Sequence, residues 1–242
     1  MALSTTVQNN LLKSTGFFEG NDGFSTTAGN FDGQGISFGV IQFNFGQGTL
    51  QPLLKEYINN NSSEFTSIFG STKAATLKDV VFNKTTAQQI AWGASISNTS
   101  GSTLISEWLT PFKAMGAKTA NQALQRKYAE SYFNRATSFA SAFGIISTQG
   151  LAFLFDHAVQ SWSWKNYTQT ELVNMIKEQE ALWTKTGQTG RYPDSQRLGI
   201  LLKGVSGSDP IARRTAIKNG SGTVHGKVWK AANFNLSYST NF

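Results

Sequence analysis

One segment constrains the fold more than any other. Residues 16–48, GFFEGNDGFSTTAGNFDGQGISFGVIQFNFGQG, hold nine of the chain's 23 glycines and seven of its 18 phenylalanines. Glycine at this density breaks helices and admits the left-handed backbone of tight turns. Within it, Ile36-Ser37-Phe38 and Val40-Ile41-Gln42-Phe43-Asn44-Phe45 alternate enough to read as short strands joined by glycine turns. The chain must therefore interrupt an otherwise helical course with a small β region near its start.

Helical patterns flank that region. Val7, Leu11 and Leu12 share one face after Ser4, Thr5 and Thr6, which predicts a first helix over 5–15 stopping at or just past Gly16. From Thr49 onward, apolar spacing predicts helices over 49–59, 73–82, 85–97, 103–115, 119–143, 148–162, 168–185, 194–203 and 209–219. Caps are expected at Thr85 or Thr86, Ser102 or Thr103, Thr168, Asp194 and Ser208-Asp209-Pro210. The breaks, such as Asn59–Ser63, are too short for interdomain linkers. The tail 220–242, rich in Gly, Asn and aromatics, is expected to pack irregularly. The fold class is therefore α+β and mostly helical, as a single domain over 1–242. Residues 1–54 form the helix and hairpin; residues 55–242 form the helical body and tail.

Composition removes several chemistries. The chain has no cysteine, so disulfide scaffolds, thiolate zinc sites and cysteine nucleophiles are excluded. Two histidines, His157 and His225, leave no basis for a histidine-rich metal centre. No apolar run approaches the ~18 residues of a membrane span. The N-terminus lacks the basic and apolar regions of a secretory signal, so synthesis in a bacterial or phage-infected cytoplasm, with later release or specialised export, is expected. There are 21 Lys+Arg against 14 Asp+Glu, a net charge of +7. Residues 1–54 hold one base and three acids, −2, whereas residues 55–242 hold 20 bases and 11 acids, +9. A basic body attracts a polyanion: nucleic acid, anionic membrane or a cell-wall polymer. The basic residues are mostly single and dispersed, which argues against a DNA-reading helix.

With thiols and histidines so scarce, carboxylates are the credible catalysts. Glu19 closes the first helix beside Phe17 and Phe18. Asp32 follows 13 residues later in Asn30-Phe31-Asp32-Gly33-Gln34-Gly35. A carboxyl desolvated against aromatic rings keeps its proton and can act as a general acid; one in a polar turn stays ionised and can activate water. Glycoside hydrolysis needs such a pair across a sugar bond. Taken alone, Glu19 reads first as a solvated helix end and Asp32 as an Asp-Gly turn former; the pair in this setting carries the catalytic reading, and Asp22 reads as a plain turn residue.

At these residues the chain resembles the lysozyme-like superfamily, in which a helix ends in a catalytic Glu and a β-hairpin follows. It most resembles the chitosanase branch and related peptidoglycan hydrolases. Their Asp-Gly-x-Gly-x-[Thr/Ser]-x-Gly element stands here as Asp32-Gly33-Gln34-Gly35-Ile36-Ser37-Phe38-Gly39. The resemblance implies a two-lobed fold, with Glu19 as general acid, Asp32 as general base and Ser37 as the hydroxyl orienting the water. A second stretch, Phe153-Leu154-Phe155-Asp156-His157-Ala158-Val159-Gln160, is similar to the buried central helix of that branch. Residues 60–145 carry no match, and the Glu–Asp separation is shorter than in the chitosanase pattern. Chitosan is a polycation that calls for an acid-rich cleft, whereas a +9 body suits anionic peptidoglycan.

Other residues complete the candidate site. Gln42 and Asn44, if they face the cleft, would hydrogen-bond N-acetyl groups. Asp156, on an apolar helix, needs a partner when buried, and Arg191, Arg197, Arg213 or Arg214 would serve. Gln160 is grouped with Asp156 as a substrate contact. His225, in a glycine-flanked loop, is a further candidate contact. Trp162 and Trp164 suit either sugar stacking or the core. Two motif matches are rejected. Gly35-Ile36-Ser37-Phe38-Gly39 fits the serine-hydrolase elbow but lacks the buried strand before it and the helix after it. Gly220–Lys227 lacks P-loop spacing.

The expected function is thus a peptidoglycan hydrolase of muramidase type, cleaving β-1,4 bonds as a monomer. It would need no metal or organic cofactor, no nucleic-acid partner and no stable membrane insertion. The alternatives are a chitosanase, and a non-catalytic cell-wall-binding or virion protein of the same fold.

Overall fold

The computed structural model describes residues 3–20, 23–161 and 163–242. Asp22 and Trp162 lie outside the described residues. The chain divides into two compact units, one of residues 19–129 and one joining residues 1–18 to 130–242. They are called the hairpin unit and the helical unit. Among the described residues the fold is mostly helical, with eleven α-helices and two small antiparallel sheets.

The hairpin unit opens with a 3-10 turn, Gly23–Ser25, then three two-residue strands: β1 (Thr27–Ala28), β2 (Ser37–Phe38) and β3 (Phe43–Asn44). β2 pairs antiparallel with both neighbours, placing Ser37 opposite Ala28 and Asn44, and Phe38 opposite Thr27 and Phe43. Helices α2 (Leu50–Asn60), α3 (Ser62–Asn83), α4 (Thr86–Ser95), α5 (Ser106–Gly116) and α6 (Thr119–Tyr128) cover the sheet. A chain of aromatic contacts ties the strands to these helices. It runs Phe45–Trp92–Trp108–Phe69–Phe112–Phe38, with ring centroids 5.1–6.3 Å apart. The phenylalanine density of the segment is thus used as core.

The helical unit receives α1 (Thr5–Glu19) up to Phe18, then α7 (Glu130–Phe143), α8 (Thr148–Gln160), α9 (Gln169–Lys185), α10 (Asp194–Lys203) and α11 (Ser208–Asn219). α8 packs on both α7 and α11, and every residue from Thr148 to Ala158 is buried. Ser147 Oγ caps α8 by accepting from the Gly150 N–H.

Several sequence expectations need correction. α1 runs past Gly16 to Glu19, because Gly16 and Phe18 are buried on the helix and packing outweighs glycine's weak helix preference. α3 begins at Ser62, eleven residues before the expected start, and bends at Gly70, whose φ of +71° suits glycine. Phe65 and Phe69, one turn apart with rings 4.9 Å apart, hold the early part that the polar composition concealed. The expected helix 119–143 is two helices, α6 and α7, separated at Ala129. α5 starts at Ser106 rather than at a Ser102 or Thr103 cap, since Ser102 and Thr103 are bound into a turn with Asn98. Asp194 is not a cap of α10; its carboxylate accepts from the Ile146 and Ser147 N–H groups instead. The tail is not irregular: β4 (Ser221–Val224) and β5 (Lys227–Lys230) form a hairpin, followed by a 3-10 turn, Ala231–Phe234. Its turn residues, His225 and Gly226, have φ of +52° and +73°, as a two-residue hairpin requires. A His in that place hides the turn from a search for Asn-Gly.

Candidate active site

Glu19 is the last residue of α1, half-buried, next to the buried Phe18. Asp32 is exposed in the turn between β1 and β2. Its Oδ1 accepts from the Gln34 N–H at 3.0 Å, closing an Asx turn that Gly33, at φ +76°, completes. The turn is anchored to α4. Asn30 Oδ1 accepts from the Gly35 N–H at 2.7 Å, the Asn30 N–H donates to Ser97 Oγ at 2.9 Å, and Ser97 Oγ–H donates to the Gly93 carbonyl at 2.7 Å. The backbone approaches too closely there for side chains. A Cβ on Gly29 would lie 2.5 Å from the Gly101 carbonyl oxygen, and one on Gly93 would lie 2.9 Å from the Ile36 nitrogen. Asp32 is therefore presented to solvent from a fixed loop.

Ser37 is buried on β2. Beyond β2 the chain turns at Gly39, φ +87°, where a side chain would strike the Gln125 amide. That amide braces the turn: Gln125 Oε1 accepts from the Val40 N–H at 2.9 Å, and its Nε2 donates to the Phe24 carbonyl at 2.9 Å and to Asn121 Oδ1 at 2.7 Å. Gln42, a non-glycine at φ +57°, donates from Nε2 to the Gly39 carbonyl. Asn44 Oδ1 accepts from the Gln47 N–H at 2.8 Å. In this structure both amides close turns, so any sugar contact would come in addition. β2 leads into β3 and no helix follows Ser37 directly, which removes the serine-hydrolase elbow.

The remaining predicted residues gather in the helical unit. Asp156 is fully buried and its partners are Arg213 and Arg214. Arg213 Nη2 lies 2.6 Å from Asp156 Oδ1, and its Nε donates to the same oxygen at 3.2 Å. Arg214 Nη2 donates to the Asp156 carbonyl at 3.1 Å and lies 3.6 Å from Oδ2. The Arg213 guanidinium also stacks 4.7 Å from the Phe18 ring centroid, next in sequence to Glu19. Of the other two candidate arginines, Arg191 pairs with Asp194 at 2.5 Å and Arg197 pairs with Glu180. Gln160 and His225 meet at Asp209: Gln160 Nε2 donates to Oδ2 at 3.0 Å, and His225 Nε2 lies 2.6 Å from Oδ1. Trp164 is core, stacked on His157 with centroids 3.8 Å apart.

Sequence reasoning missed three contributors. Asn30 and Gln125 orient the two turns, but their spacing from Asp32 and Val40 has no local signature. His157 is the third. Burial, with Arg214, Arg135 and Lys165 adding repulsion, drives its imidazole down to about 3, so it is neutral in the fold. Its place one residue after Asp156 on an apolar helix was the available sign. Among the described residues no cluster of ligating side chains could hold a metal ion, and no helix is long and apolar enough to cross a membrane.

Comparison with solved structures shows which known proteins share this fold. A native chitosanase from Bacillus subtilis MY002 matches 100% of this chain and 99% of its own, at TM-score 0.53 and 13% identity. A glutamate-to-alanine mutant chitosanase from Bacillus subtilis MY002, complexed with 6 GlcN, matches 90% of this chain and 89% of its own, at TM-score 0.53 and 14% identity. The protein therefore has a chitosanase-like fold over nearly its full length. No protein-family model and no curated protein sequence matches the chain.

Proposed function

We propose that this protein is a glycoside hydrolase acting on a β-1,4-linked amino-sugar polysaccharide, with Glu19 as general acid and Asp32 as general base. The observation that carries the reading is the chain-long chitosanase-like fold. Two local features support it: a carboxyl at the end of α1, and a second on the braced turn before β2 in the same unit. Glu19 would protonate the leaving glycosidic oxygen. Asp32, exposed and held by its Asx turn, would take a proton from the attacking water. Ser37 would align that water. Carboxyl groups about 6.5–9.5 Å apart invert the anomeric centre, whereas groups about 5–5.5 Å apart retain it. Arg213 and Arg214 would hold α8 and α11 together within the helical unit.

Chitosan is the first substrate to test, because the structural neighbours are chitosanases. Peptidoglycan is the second reading, favoured by the charge. The helical unit carries 13 Lys+Arg against 7 Asp+Glu, a net +6, which suits an anionic polymer better than a cationic one. The decisive experiment is mass spectrometry of both polymers after incubation with the protein. Glucosamine oligomers from chitosan support the chitosanase reading, and muropeptides with reducing ends support the muramidase reading. Release from neither polymer overturns the proposal in favour of a binding protein.

A further inference from the structure

A second glycan-sized surface lies in the helical unit, between α9 and α10, and none of the residues discussed above as a catalyst lines it. Two hollows of about 280 and 330 Å³ share Gln179, Tyr192 and Gln196 along their walls. The smaller is completed by Leu182, Trp183 and Thr186. Trp183 and Tyr192 meet edge to face, with ring centroids 5.7 Å apart and planes at 69°. They form an aromatic corner rather than a flat patch.

The corner is held from behind. Arg197 is buried, its guanidinium lies 5.6 Å from the Tyr192 ring centroid, and its Nε donates to the Tyr192 carbonyl at 3.1 Å. Its other nitrogens reach the Phe143 carbonyl, at 3.0 Å, and Glu180. A ring fixed this way loses little entropy when a ligand stacks on it. The Trp183 Nε1–H is buried and has no acceptor among the described residues. Core packing does not account for a half-exposed aromatic pair flanked by two exposed glutamines.

The chemistry that fits is a pyranose. Its axial C–H face is complementary to the electron-rich face of an aromatic ring. Its hydroxyls pair with glutamine amides, which both donate and accept. Charged side chains line only the second hollow, as Glu178 and Lys203, and they are of opposite sign. The hollows therefore favour an uncharged sugar, and an acetamido group is the natural partner of a glutamine amide. We infer that the α9–α10 groove is an auxiliary binding site for a glycan chain bearing N-acetylhexosamine units, built from none of the hydrolytic residues. Its occupancy does not depend on Glu19 or Asp32 being catalytic.

The test is a titration with the hexamer of N-acetylglucosamine, read by the side-chain amide NMR signals of Gln179 and Gln196. It is run in the wild type and in Glu19→Gln. Saturable shifts of both amides are expected in both proteins. The double variant Gln179→Ala/Gln196→Ala and the variant Trp183→Phe, both checked for unchanged melting, should each weaken Trp183- or Tyr192-reported binding at least tenfold. Unmoved glutamine signals at millimolar hexamer would overturn the inference. So would equal affinity in the variants, or shifts produced only by the glucosamine hexamer.

Discussion

Among the described residues, every buried Asp, His or Arg side chain lies in the helical unit: Asp156, His157, Asp194, Arg197, Arg213 and Arg214. The hairpin unit buries neutral groups in the same roles, chiefly Asn44, Gln89, Asn121 and Gln125. Net charge divides in the same direction. The helical unit carries +6, while the hairpin unit carries 8 Lys+Arg against 7 Asp+Glu, or +1. A buried ion pair costs desolvation on both partners but is severely penalised when one is lost. A buried amide network costs less to form and less to break. The hairpin unit thus presents Asp32 from a scaffold without buried charge, and the helical unit concentrates its electrostatics around α8 and α11.

That contrast can be broken by substitution. Asp156→Ala leaves Arg213 and Arg214 buried without their carboxylate and should cost about 3–5 kcal/mol, measured by urea denaturation. Gln125→Ala strips the Val40 N–H and the Phe24 carbonyl of their partner and should cost about 1–3 kcal/mol. Hydrogen exchange should assign the first loss to the helical unit and the second to the hairpin unit. Equal costs, or losses spread over both units, would remove the distinction.

Acid should sharpen it. His157 is held neutral down to about pH 3, whereas an unfolded histidine protonates near its usual value of about 6.5. The unfolded chain then binds more protons across that interval. His157's contribution is complete above about pH 6.5 and declines by about 1.4 kcal/mol per pH unit as the pH falls toward 3. Burial alone would raise the Asp194 carboxyl, but hydrogen bonds from Ser147, Arg191 and the Ile146 N–H outweigh it and hold it below the usual carboxylate range. Its contribution is therefore present above the ordinary carboxylate value and lost only at lower pH. His157→Phe should flatten the stability profile between pH 6.5 and 5, and an unchanged slope would refute the neutral assignment. The smallest effect is a control. Thr85→Ala and Thr168→Ala each remove a capping box, one in each unit, and each should cost about 1 kcal/mol in thermal melting. Here the two units should not differ.

The sequence was informative where local chemistry decides the outcome. Thr168 caps α9 as expected, with Glu171 completing a capping box, and Asp194–Lys203 has the expected helical bounds. The placement of Asp32 in a glycine turn follows from residues within a few positions, whereas α1 reaches Glu19 through the burial of Gly16 and Phe18. Long-range contacts were not legible. Nothing near Asp156 distinguishes Arg213 and Arg214 from Arg191 and Arg197, because the choice is made by α11 packing against α8. The tail hairpin escaped for a related reason. Trp229 is fully buried against Phe18 and Phe234, and Gly222 meets Ala216 so closely that a Cβ would lie 2.7 Å from the Ala216 Cβ. Those tertiary fits order a segment whose composition reads as irregular. The charge contrast read along the sequence, −2 for residues 1–54 against +9 for residues 55–242, becomes +1 against +6 when counted by folded unit.

The central claim rests on two carboxyl groups, and its most direct measurement is the rate of reducing-end release from chitosan and from peptidoglycan by wild type, Glu19→Gln and Asp32→Asn. The account predicts that both variants lose about 10²–10⁴-fold in rate on the polymer that the wild type cleaves, with melting temperatures nearly unchanged. Wild-type rates in either variant would contradict it.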